Sequence, residues 1–372
     1  MTEHRATTSS PPCASELAMR IGIYVPTAGS INGGAMVLYR YANMLAERGH
    51  EVHLAHAVFS PDPDLSVIQW ADWFTFDDRV VHHVSRTSTW PSSEADLNFE
   101  PWDVDALIGP SVFFPATPNP VLLFQGSFYF AGDELLLEMD GPILCVSNYL
   151  RERCLAAGVA PDRLVYLPNA VDHDTFRPPP PGGGEQRRMQ VAIASNRWVT
   201  KRTALAVEVL ERVRERVPQL EVVAFGDEPS APWLPSWFRY LHGPDHQELA
   251  EHVYRPSRLF LCTSVDEGFG LPSLEAMACG AALVTTDTGG SRDFARHDES
   301  ALVYEPGDVE GLANGVEKVL VDDELWSRLS AAGVEVAAEF SWERSESLLE
   351  ATLLEQVRGS GPTGPRDLRQ VS

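Results

Sequence analysis

The sequence predicts an α/β protein with two doubly wound parallel sheets. Short apolar, β-rich runs alternate with stretches of helical periodicity, which is typical of buried parallel strands covered by helices. This alternation stops at the proline- and glycine-rich stretch 177–184 and then starts again. The length of 372 residues fits two or three domains at about 150 residues per domain. We therefore expect two α/β domains joined by a linker.

The first domain opens with a β-loop-α-β unit. The run 20–26 predicts a strand, the polar glycine loop 30–34 follows it, and 35–48 has helical spacing. Gly49 stands where a glycine commonly ends a helix, and 51–55 resumes as a strand. This order is the opening of a doubly wound sheet. Further strands are predicted at 106–108, 121–124, 143–146 and 164–167.

The second half of the chain repeats this alternation after the linker. Polar residues 1–18 precede the first strand and predict a disordered leader, while the Gly-, Pro- and Ser-rich end, 359–372, predicts a flexible tail. The second domain is predicted to contain strands at 190–194, 221–225, 258–263 and 282–285, and helices at 203–217, 311–321 and 323–338.

The chain is acidic, with 29 basic and 53 acidic residues and a formal net charge of −24. This balance argues against a nucleic-acid partner and against general electrostatic binding to anionic lipid, while local contact with a membrane surface stays open. No apolar run approaches the roughly 18 residues of a membrane span, and no secretory signal is visible. Five scattered cysteines without a C-x-x-C pair favour free thiols in a reducing compartment. We therefore expect a cytoplasmic protein.

The segment 266–280, with the sequence D-E-G-F-G-L-P-S-L-E-A-M-A-C-G, follows an apolar predicted strand and carries the most information. Gly268 and Gly270 let the backbone approach a ligand closely. Pro272 suits the first position of a helix. The free N–H groups and the positive dipole end of such a helix favour an anion beside the strand's carboxyl end.

Two glutamates accompany this anion site. Glu267 is predicted in the loop and Glu275 in the first turn of the helix, so both can line one crevice. Carboxylates so close to an anion site are better suited to bind hydroxyl groups than phosphate. A ligand that contains a sugar and a ribose would supply such hydroxyl groups. Each glutamate taken alone also fits a solvated or capping carboxylate.

A basic loop, 195–202, follows the predicted strand 190–194. It contains Arg197, Lys201 and Arg202 in a chain of strongly negative charge. Cations at the carboxyl end of a strand indicate an anionic ligand. The alternative is a set of solvated surface cations.

The Glu-x₇-Glu string and its filling resemble the signature of family 4 glycosyltransferases. Similarity to that family extends over about residues 19–357. It includes Gly33-Gly34, the stretch L-A-E-R-G-H-E-V at 45–52, L-P-N-A-V-D at 167–172 with F-R-P at 176–178, and F-S-W-E at 340–343.

The resemblance implies the GT-B fold, in which two Rossmann-like domains face each other across a cleft. It implies transfer of a sugar, with retention of anomeric configuration, from a nucleoside-diphosphate sugar to an acceptor hydroxyl. Such a reaction belongs to glycan, glycolipid or glycosylated natural-product synthesis, and it needs neither a cofactor nor a metal. The alternatives are a nucleotide-sugar epimerase, a sugar phosphorylase of similar fold, or a non-catalytic nucleotide-sugar-binding subunit.

The resemblance also sets the expected domain boundaries. The first domain is expected to hold the acceptor and the second the nucleotide sugar. We predict a first domain at 19–175 with a C-terminal helix 344–358 that crosses back to it, a linker at 176–187, and a second domain at 188–343.

The resemblance assigns roles to individual residues. Glu267 is expected to contact the transferred sugar and Glu275 the ribose, while Arg197 and Lys201 are expected to contact the diphosphate. Simple counting would give the role of Lys201 to Arg202, so that register stays open. The predicted catalytic residues are Glu267, Arg197 and Lys201. The predicted donor-binding residues are Gly33, Gly34, Arg197, Lys201, Arg202, Gly268, Phe269, Gly270, Leu271 and Glu275.

Two positions depart from the family pattern. Gln125 stands where the family often has a histidine near the transferred sugar, and its amide can bind a sugar hydroxyl or a phosphate. Ala170 stands where glycine is usual, which makes a positive φ unfavourable there. The aromatic segments 70–76 and 233–240 fit either an acceptor surface or core.

No residue pattern predicts a metal site. His53 and His56 are three apart, so on a strand they point to opposite faces, and no acidic cluster accompanies them. Two Asp-x-Asp pairs are assigned no role: Asp62 with Asp64, and Asp103 with Asp105.

Overall fold

The computed structural model describes residues 18–27, 33–59, 73–87, 103–109, 119–126, 140–180 and 187–359. Some predictions fall on other parts of the chain. These parts outside the described residues are the leader up to residue 17, positions 30–32 of the glycine loop, the pair Asp62 and Asp64, positions 70–72 of the first aromatic segment, positions 181–186 of the linker and the tail from residue 360.

The first domain is built on a seven-stranded parallel sheet. Its strands are β1 (Arg20–Thr27), β2 (Glu51–Phe59), β3 (Val81–Thr87), β4 (Ala106–Gly109), β5 (Pro120–Phe124), β6 (Ile143–Cys145) and β7 (Leu164–Tyr166). They lie in the order β3-β2-β1-β4-β5-β6-β7, and every neighbouring pair is parallel. The helices α1 (Gly33–Glu47) and α2 (Asn148–Ala156) belong to this domain.

The second domain contains a six-stranded parallel sheet. Its strands are β8 (Arg188–Ala194), β9 (Glu221–Gly226), β10 (Arg239–His242), β11 (Ser257–Cys262), β12 (Ala282–Thr286) and β13 (Ala301–Tyr304), in the order β10-β9-β8-β11-β12-β13. Its longer α-helices are α3 (Thr203–Arg216), α4 (Leu271–Ala278), α5 (Val309–Val321) and α6 (Asp323–Ala337), and the shorter helical segments His246–Glu248 and Leu249–Tyr254 precede β11. Both sheets are doubly wound, which confirms the predicted fold class.

The strand order places a crevice in each domain. The winding direction reverses between β1 and β4 in the first sheet, and between β8 and β11 in the second. In open α/β sheets a ligand binds at such a reversal, outside the carboxyl ends of the strands. The loops after β8 and β11 are therefore the first place to look for a site.

The first helix shows how local sequence sets element boundaries. The apolar side chains of α1 are buried along its length, and Gly49 closes it with a φ of +93°, where its N–H donates to Ala46 O at 3.0 Å. Gly33 and Gly34 are the first two residues of α1, and not part of a loop before it as the sequence suggested.

The C-terminal helix α7 (Trp342–Gly359) packs against the first domain. Arg48 forms an ion pair with Glu350, and the ring of Trp342 lies edge-on against that of Tyr41, with 5.7 Å between ring centroids. Neither α7 nor any other helix in the described ranges is both long and apolar enough to cross a membrane.

Two chain crossings run side by side between the domains. The Val171 N–H donates to Phe340 O at 3.1 Å, and the Ser345 hydroxyl donates to Pro168 O at 2.8 Å. Ala170 between them is buried. Among the described residues other than glycine, a positive φ occurs at Asn119, Arg202 and Asp298, so alanine fits the ordinary backbone at position 170.

Candidate active site between the domains

The loops after β8 and β11 lie next to each other at the switch point of the second sheet. Thr263, which follows β11, donates its hydroxyl to the carbonyl of Arg202 at 3.1 Å. The Val265 N–H donates to Thr200 O at 2.9 Å. The basic loop and the glutamate-containing loop are thus held together as one wall of the crevice.

The basic loop, 195–202, contains a tight turn that ends at Lys201. Val199–Lys201 forms a 3₁₀ turn, in which the Lys201 N–H donates to Trp198 O at 3.0 Å. Arg202 follows with a φ of +51°, a left-handed conformation that favours glycine. Arg202 is exposed, whereas Lys201 is half-buried.

Lys201 and Glu267 form an ion pair. Lys201 Nζ lies 2.8 Å from Glu267 Oε2, and the side chains are 34% and 13% exposed. Burial lowers the pKa of Lys201, but Glu267, Cys262 and Asp266 together raise it more, so the net pKa lies above its ordinary value. A small cavity between β11 and α4 is lined by both residues together with Ala194, Phe260, Leu261, Cys262, Thr263, Ser264, Pro272 and Ser273.

The backbone of Glu267 is fixed on both sides. Its N–H donates to Thr288 O at 2.9 Å, and its carbonyl accepts from the Gly290 N–H at 3.1 Å. These bonds join the loop after β11 to the loop after β12. Glu267 is therefore held by the second domain and needs no ligand to place it.

The start of α4 lies beside this carboxylate. Gly270 precedes the helix with a φ of +102°, which glycine adopts without strain. The helix begins at Leu271, so Pro272 is its second residue. From the sequence, Pro272 was predicted at the first position. Pro272 has no N–H, and the Ser273 N–H donates to Gly270 O at 3.1 Å, so the helix start can offer an anion the backbone N–H groups of Gly270 and Leu271.

Glu275 has a different environment from Glu267. It is the fifth residue of α4, and therefore lies beyond the predicted first turn. Its side chain is buried, and the Tyr254 hydroxyl donates to Glu275 Oε2 at 3.2 Å. Burial raises the pKa of Glu275, while His246 and the Tyr254 bond lower it, and the net pKa is raised. Of these two glutamates, only Glu267 is among the described residues that line the small cavity.

Phe269 is a core residue and not a free side chain of the loop. Its ring packs against Phe294 and Phe340, with ring centroids 5.5 and 5.6 Å apart. We therefore expect Phe269 to contact a ligand through its backbone. Leu271 is also buried, and its Cδ1 lies 3.3 Å from the position of a Cβ on Gly33 of the first domain.

The two domains approach each other closely at Gly268. A Cβ on Gly268 would lie 1.8 Å from Gln125 O and 3.1 Å from Gly126 Cα. The Gln125 side chain is held by its own domain, since Nε2 donates to Gly34 O at 3.1 Å. The structure thus brings Gln125, Gly33 and Gly34 to the loop of Glu267, as a common site requires.

A set of polar contacts between the domains was not found by sequence reasoning. Asp293 accepts from the Asn148 N–H at 3.0 Å, from the Asn148 amide at 3.2 Å and from the Tyr166 hydroxyl at 2.9 Å. The Tyr149 hydroxyl donates to Asp266 Oδ1 at 3.2 Å. No motif marks these residues, because their partners lie more than a hundred positions away in the chain.

The remaining cations of the basic loop are exposed. Arg202 is exposed on the outside of the turn. The Arg197 guanidinium is exposed as well, and it lies over the ring of Trp233, 5.6 Å from the ring centroid. Of the three, Lys201 is the residue that the structure places against Glu267.

Comparison with known sequences matches the second domain to a family. Residues 184–336 match the family described as glycosyl transferases group 1. A GDP-mannose-dependent alpha-(1-6)-phosphatidylinositol monomannoside mannosyltransferase of Mycobacterium tuberculosis is 29% identical over 240 residues, 58% of this chain and 60% of that relative. A D-inositol 3-phosphate glycosyltransferase of Rhodococcus erythropolis is 33% identical over 125 residues, 33% of this chain and 28% of that relative. The chain thus spans 60% or less of these curated relatives.

Solved structures match the chain over both domains. Anabaena HepE in complex with UDP and glucose has a TM-score of 0.68 at 15% identity, and covers 90% of this chain and 99% of its own. The sucrose-phosphate synthase of Thermosynechococcus elongatus has a TM-score of 0.69 at 17% identity, and covers 92% of this chain and 99% of its own. These matches support the family resemblance, since residues 184–336 are similar to glycosyl transferases group 1, and they confirm the fold: the two domains together form the GT-B fold.

Proposed function

We propose that this chain is a glycosyltransferase that moves a sugar from a nucleoside-diphosphate sugar to an acceptor hydroxyl with retention of configuration. The observation that carries the proposal is the contact between Lys201 Nζ and Glu267 Oε2 at 2.8 Å, next to the N-terminus of α4. A cation, a carboxylate and the backbone at the start of α4 thus lie together at the switch point of one sheet. A diphosphate joined to a sugar presents matching groups, namely anionic oxygens beside hydroxyls.

The proposed catalysis is electrostatic. Negative charge grows on the leaving diphosphate, and Lys201, Arg197 and the backbone N–H groups near Gly270 and Leu271 stabilise it. Glu267 accepts from hydroxyls of the transferred sugar. The amide of Gln125, on the opposite side of the cleft, offers a further contact to that sugar. We assign no enzymic nucleophile.

Binding of the ribose is assigned to Glu275. Its burial beside Tyr254 removes competing water, and a buried carboxylate gains most from hydroxyl donors. Glu275 lies one turn into α4, so the proposed ribose site and the proposed diphosphate site lie on the same helix. This arrangement supports recognition of the donor by the second domain, and leaves the first domain for the acceptor.

The names of the relatives suggest which compounds to test. One relative is named for GDP-mannose and a phosphatidylinositol monomannoside, another for D-inositol 3-phosphate. A solved neighbour contains UDP and glucose. We therefore propose a GDP- or UDP-linked hexose as donor and a hydroxyl of an inositol-containing or glycan acceptor.

Donor binding and transfer can be tested in two steps. A thermal-shift screen of GDP, UDP and their hexose conjugates should identify the nucleotide, since a ligand at 100 times its Kd adds about 2.7 kcal/mol to the stability. Mass spectrometry should then detect an acceptor that has gained one hexose and an equal amount of free nucleoside diphosphate. Turnover of the donor without an acceptor would indicate an epimerase. Intact donor with every acceptor would indicate a binding subunit.

The two glutamates should respond differently to replacement by alanine. Glu275→Ala should weaken the binding of free nucleoside diphosphate by about 10- to 100-fold, the range for hydrogen bonds to a charged group, and spare turnover at saturating donor. Glu267→Ala should lower transfer and leave nucleoside diphosphate binding nearly intact, because its partner is the sugar. Isothermal titration with the diphosphate, together with kcat, measures both effects. Equal losses of diphosphate affinity in the two variants would contradict this division of roles.

Transfer should not depend on a divalent metal ion. Lysine, arginine and helix N–H groups supply the positive charge that a metal would otherwise bring. Activity in the presence of EDTA should equal the activity in its absence. Loss of activity that manganese or magnesium restores would contradict the proposal. Asp103 and Asp105 would not explain such a loss, because both bind Arg20 at the amino end of β1.

A further inference from the structure

The indole ring of Trp233 packs against the guanidinium of Arg197. Trp233 lies outside the motifs that carry the family resemblance. The Arg197 guanidinium lies 5.6 Å from the centre of the indole ring, within the range of a cation–π contact. The indole N–H donates to the Ser195 hydroxyl at 3.1 Å, two residues before Arg197. One tryptophan thus contacts both the charged end of Arg197 and the side chain of Ser195 in the same loop.

The loop that carries Trp233 is itself held in place. The Tyr240 hydroxyl donates to Glu228 O at 2.8 Å, and the Leu234 N–H donates to Ala231 O at 3.0 Å. At the start of this loop, a Cβ on Gly226 would lie 2.3 Å from Ser195 O, so β9 approaches the Ser195 backbone as closely as glycine permits. The indole is therefore a fixed surface, and not a side chain that merely touches Arg197.

The contact with Trp233 is the main described interaction of the Arg197 side chain. Its side chain is exposed, and it takes part in no ion pair with a described residue. A long exposed side chain samples many rotamers, and ordering it at a transition state costs conformational entropy. A guanidinium that already lies on an aromatic face loses less of that freedom.

We propose that Trp233 is a positioning residue, which holds the Arg197 guanidinium ready for the diphosphate of the donor. The inference rests on the proposed function, since it takes the contact of Arg197 with the leaving group from there. Because the charge on that group grows during the reaction, correct placement of Arg197 should act on turnover more than on donor affinity.

The test compares variants of Trp233 and Ser195 by steady-state kinetics. Trp233→Leu should lower kcat by about tenfold, the scale of one cation–π contact in a partly desolvated site, with a smaller change in the KM for donor. Trp233→Phe keeps an aromatic face and should recover most of kcat. Ser195→Ala removes the acceptor of the indole N–H, leaves the ring in place, and should give a smaller loss of kcat.

The second domain offers a matched control. Trp237 carries the same kind of contact, with the Arg214 guanidinium 4.2 Å from its ring centre, at the end of α3 and away from the basic loop. Trp237→Leu should lower the melting temperature at least as much as Trp233→Leu, and leave kcat per folded molecule unchanged. An equal loss of kcat in both variants would overturn the proposal, because general destabilisation would then explain it.

A double-mutant cycle separates this inference from the proposed function. Trp233→Leu should have no further effect on kcat in an Arg197→Ala background, because coupled residues are not additive. If Trp233→Leu lowers kcat equally with and without Arg197, the positioning role is overturned and the glycosyl transfer stands. If Arg197→Ala itself leaves kcat unchanged, the role of Arg197 in the proposed function falls, and the positioning role falls with it.

Discussion

Lys201→Ala should lower the turnover of glycosyl transfer by about 100-fold or more. Lys201 is the cation that the structure places in the crevice, 2.8 Å from the Glu267 carboxylate. Removal of one electrostatic donor to developing charge costs about 3 to 4 kcal/mol at the transition state. The substitution also leaves Glu267 without its cation, which places an uncompensated negative charge beside the diphosphate. Turnover should therefore fall further than donor affinity, as kcat and donor Kd measured side by side will show.

Arg202→Gly is the matched control for this prediction. The two cations are neighbours in sequence, but Arg202 is exposed and has a φ of +51°, which glycine adopts freely. This variant should fold normally and keep most of its turnover. If Arg202→Gly costs more turnover than Lys201→Ala, then Arg202 contacts the diphosphate, and the register obtained by simple counting is correct.

Gly268→Ala should abolish most of the activity by keeping the domains apart. The added Cβ would lie 1.8 Å from Gln125 O, a distance that no relaxation of a side chain can relieve because the opposing atom is backbone. Alanine fits the Gly268 backbone itself, since its φ is not in the left-handed range. Each domain should therefore fold and the second should still bind nucleoside diphosphate. Transfer should fall by about 100-fold, because a displacement of about 1 Å between reacting groups can cost that much.

Solution scattering and a second glycine variant test the mechanism of that loss. Wild-type protein should become more compact when nucleotide saturates it, and Gly268→Ala should not. Gly126→Ala lies on the opposing loop, and its Cβ would meet nothing within 4 Å, so it should behave as wild type. Unchanged activity and scattering in Gly268→Ala would show that the approach of Gln125 to Gly268 is not part of the catalytic cycle.

The secondary structure and the fold class could be predicted because their signals are local. Apolar runs of strand length, helical periodicity in α1 and the glycine at position 49 each act within a few residues. The errors are local as well. Gly33 and Gly34 begin α1, and Pro272 is one position further into α4 than expected, because the hydrogen bonds of the first helical turn set the boundary and not the residue type.

The candidate site could be predicted only in part. The loops of Glu267 and Lys201 were both expected beside the carboxyl ends of strands, and they lie there. The shared crevice of Glu267 and Glu275 stays a prediction: Glu267 lines the small cavity beside α4, and Glu275 is buried beside Tyr254. The sequence around Glu275 does not predict Tyr254 as its partner, because the two residues are 21 positions apart.

The sequence by itself determined that the chain forms two doubly wound domains, and that glycine-rich and basic loops follow particular strands. The tertiary structure decided which side chains meet. Lys201 and Glu267 are 66 positions apart, Trp233 lies 38 positions from Ser195, and Asn148 lies 145 positions from Asp293. Contacts at such separations depend on strand order and on how two domains pack. Periodicity, capping and turn chemistry carry information over only a few residues, so packing alone selected Lys201 over Arg202 as the partner of Glu267 and placed Trp233 under Arg197.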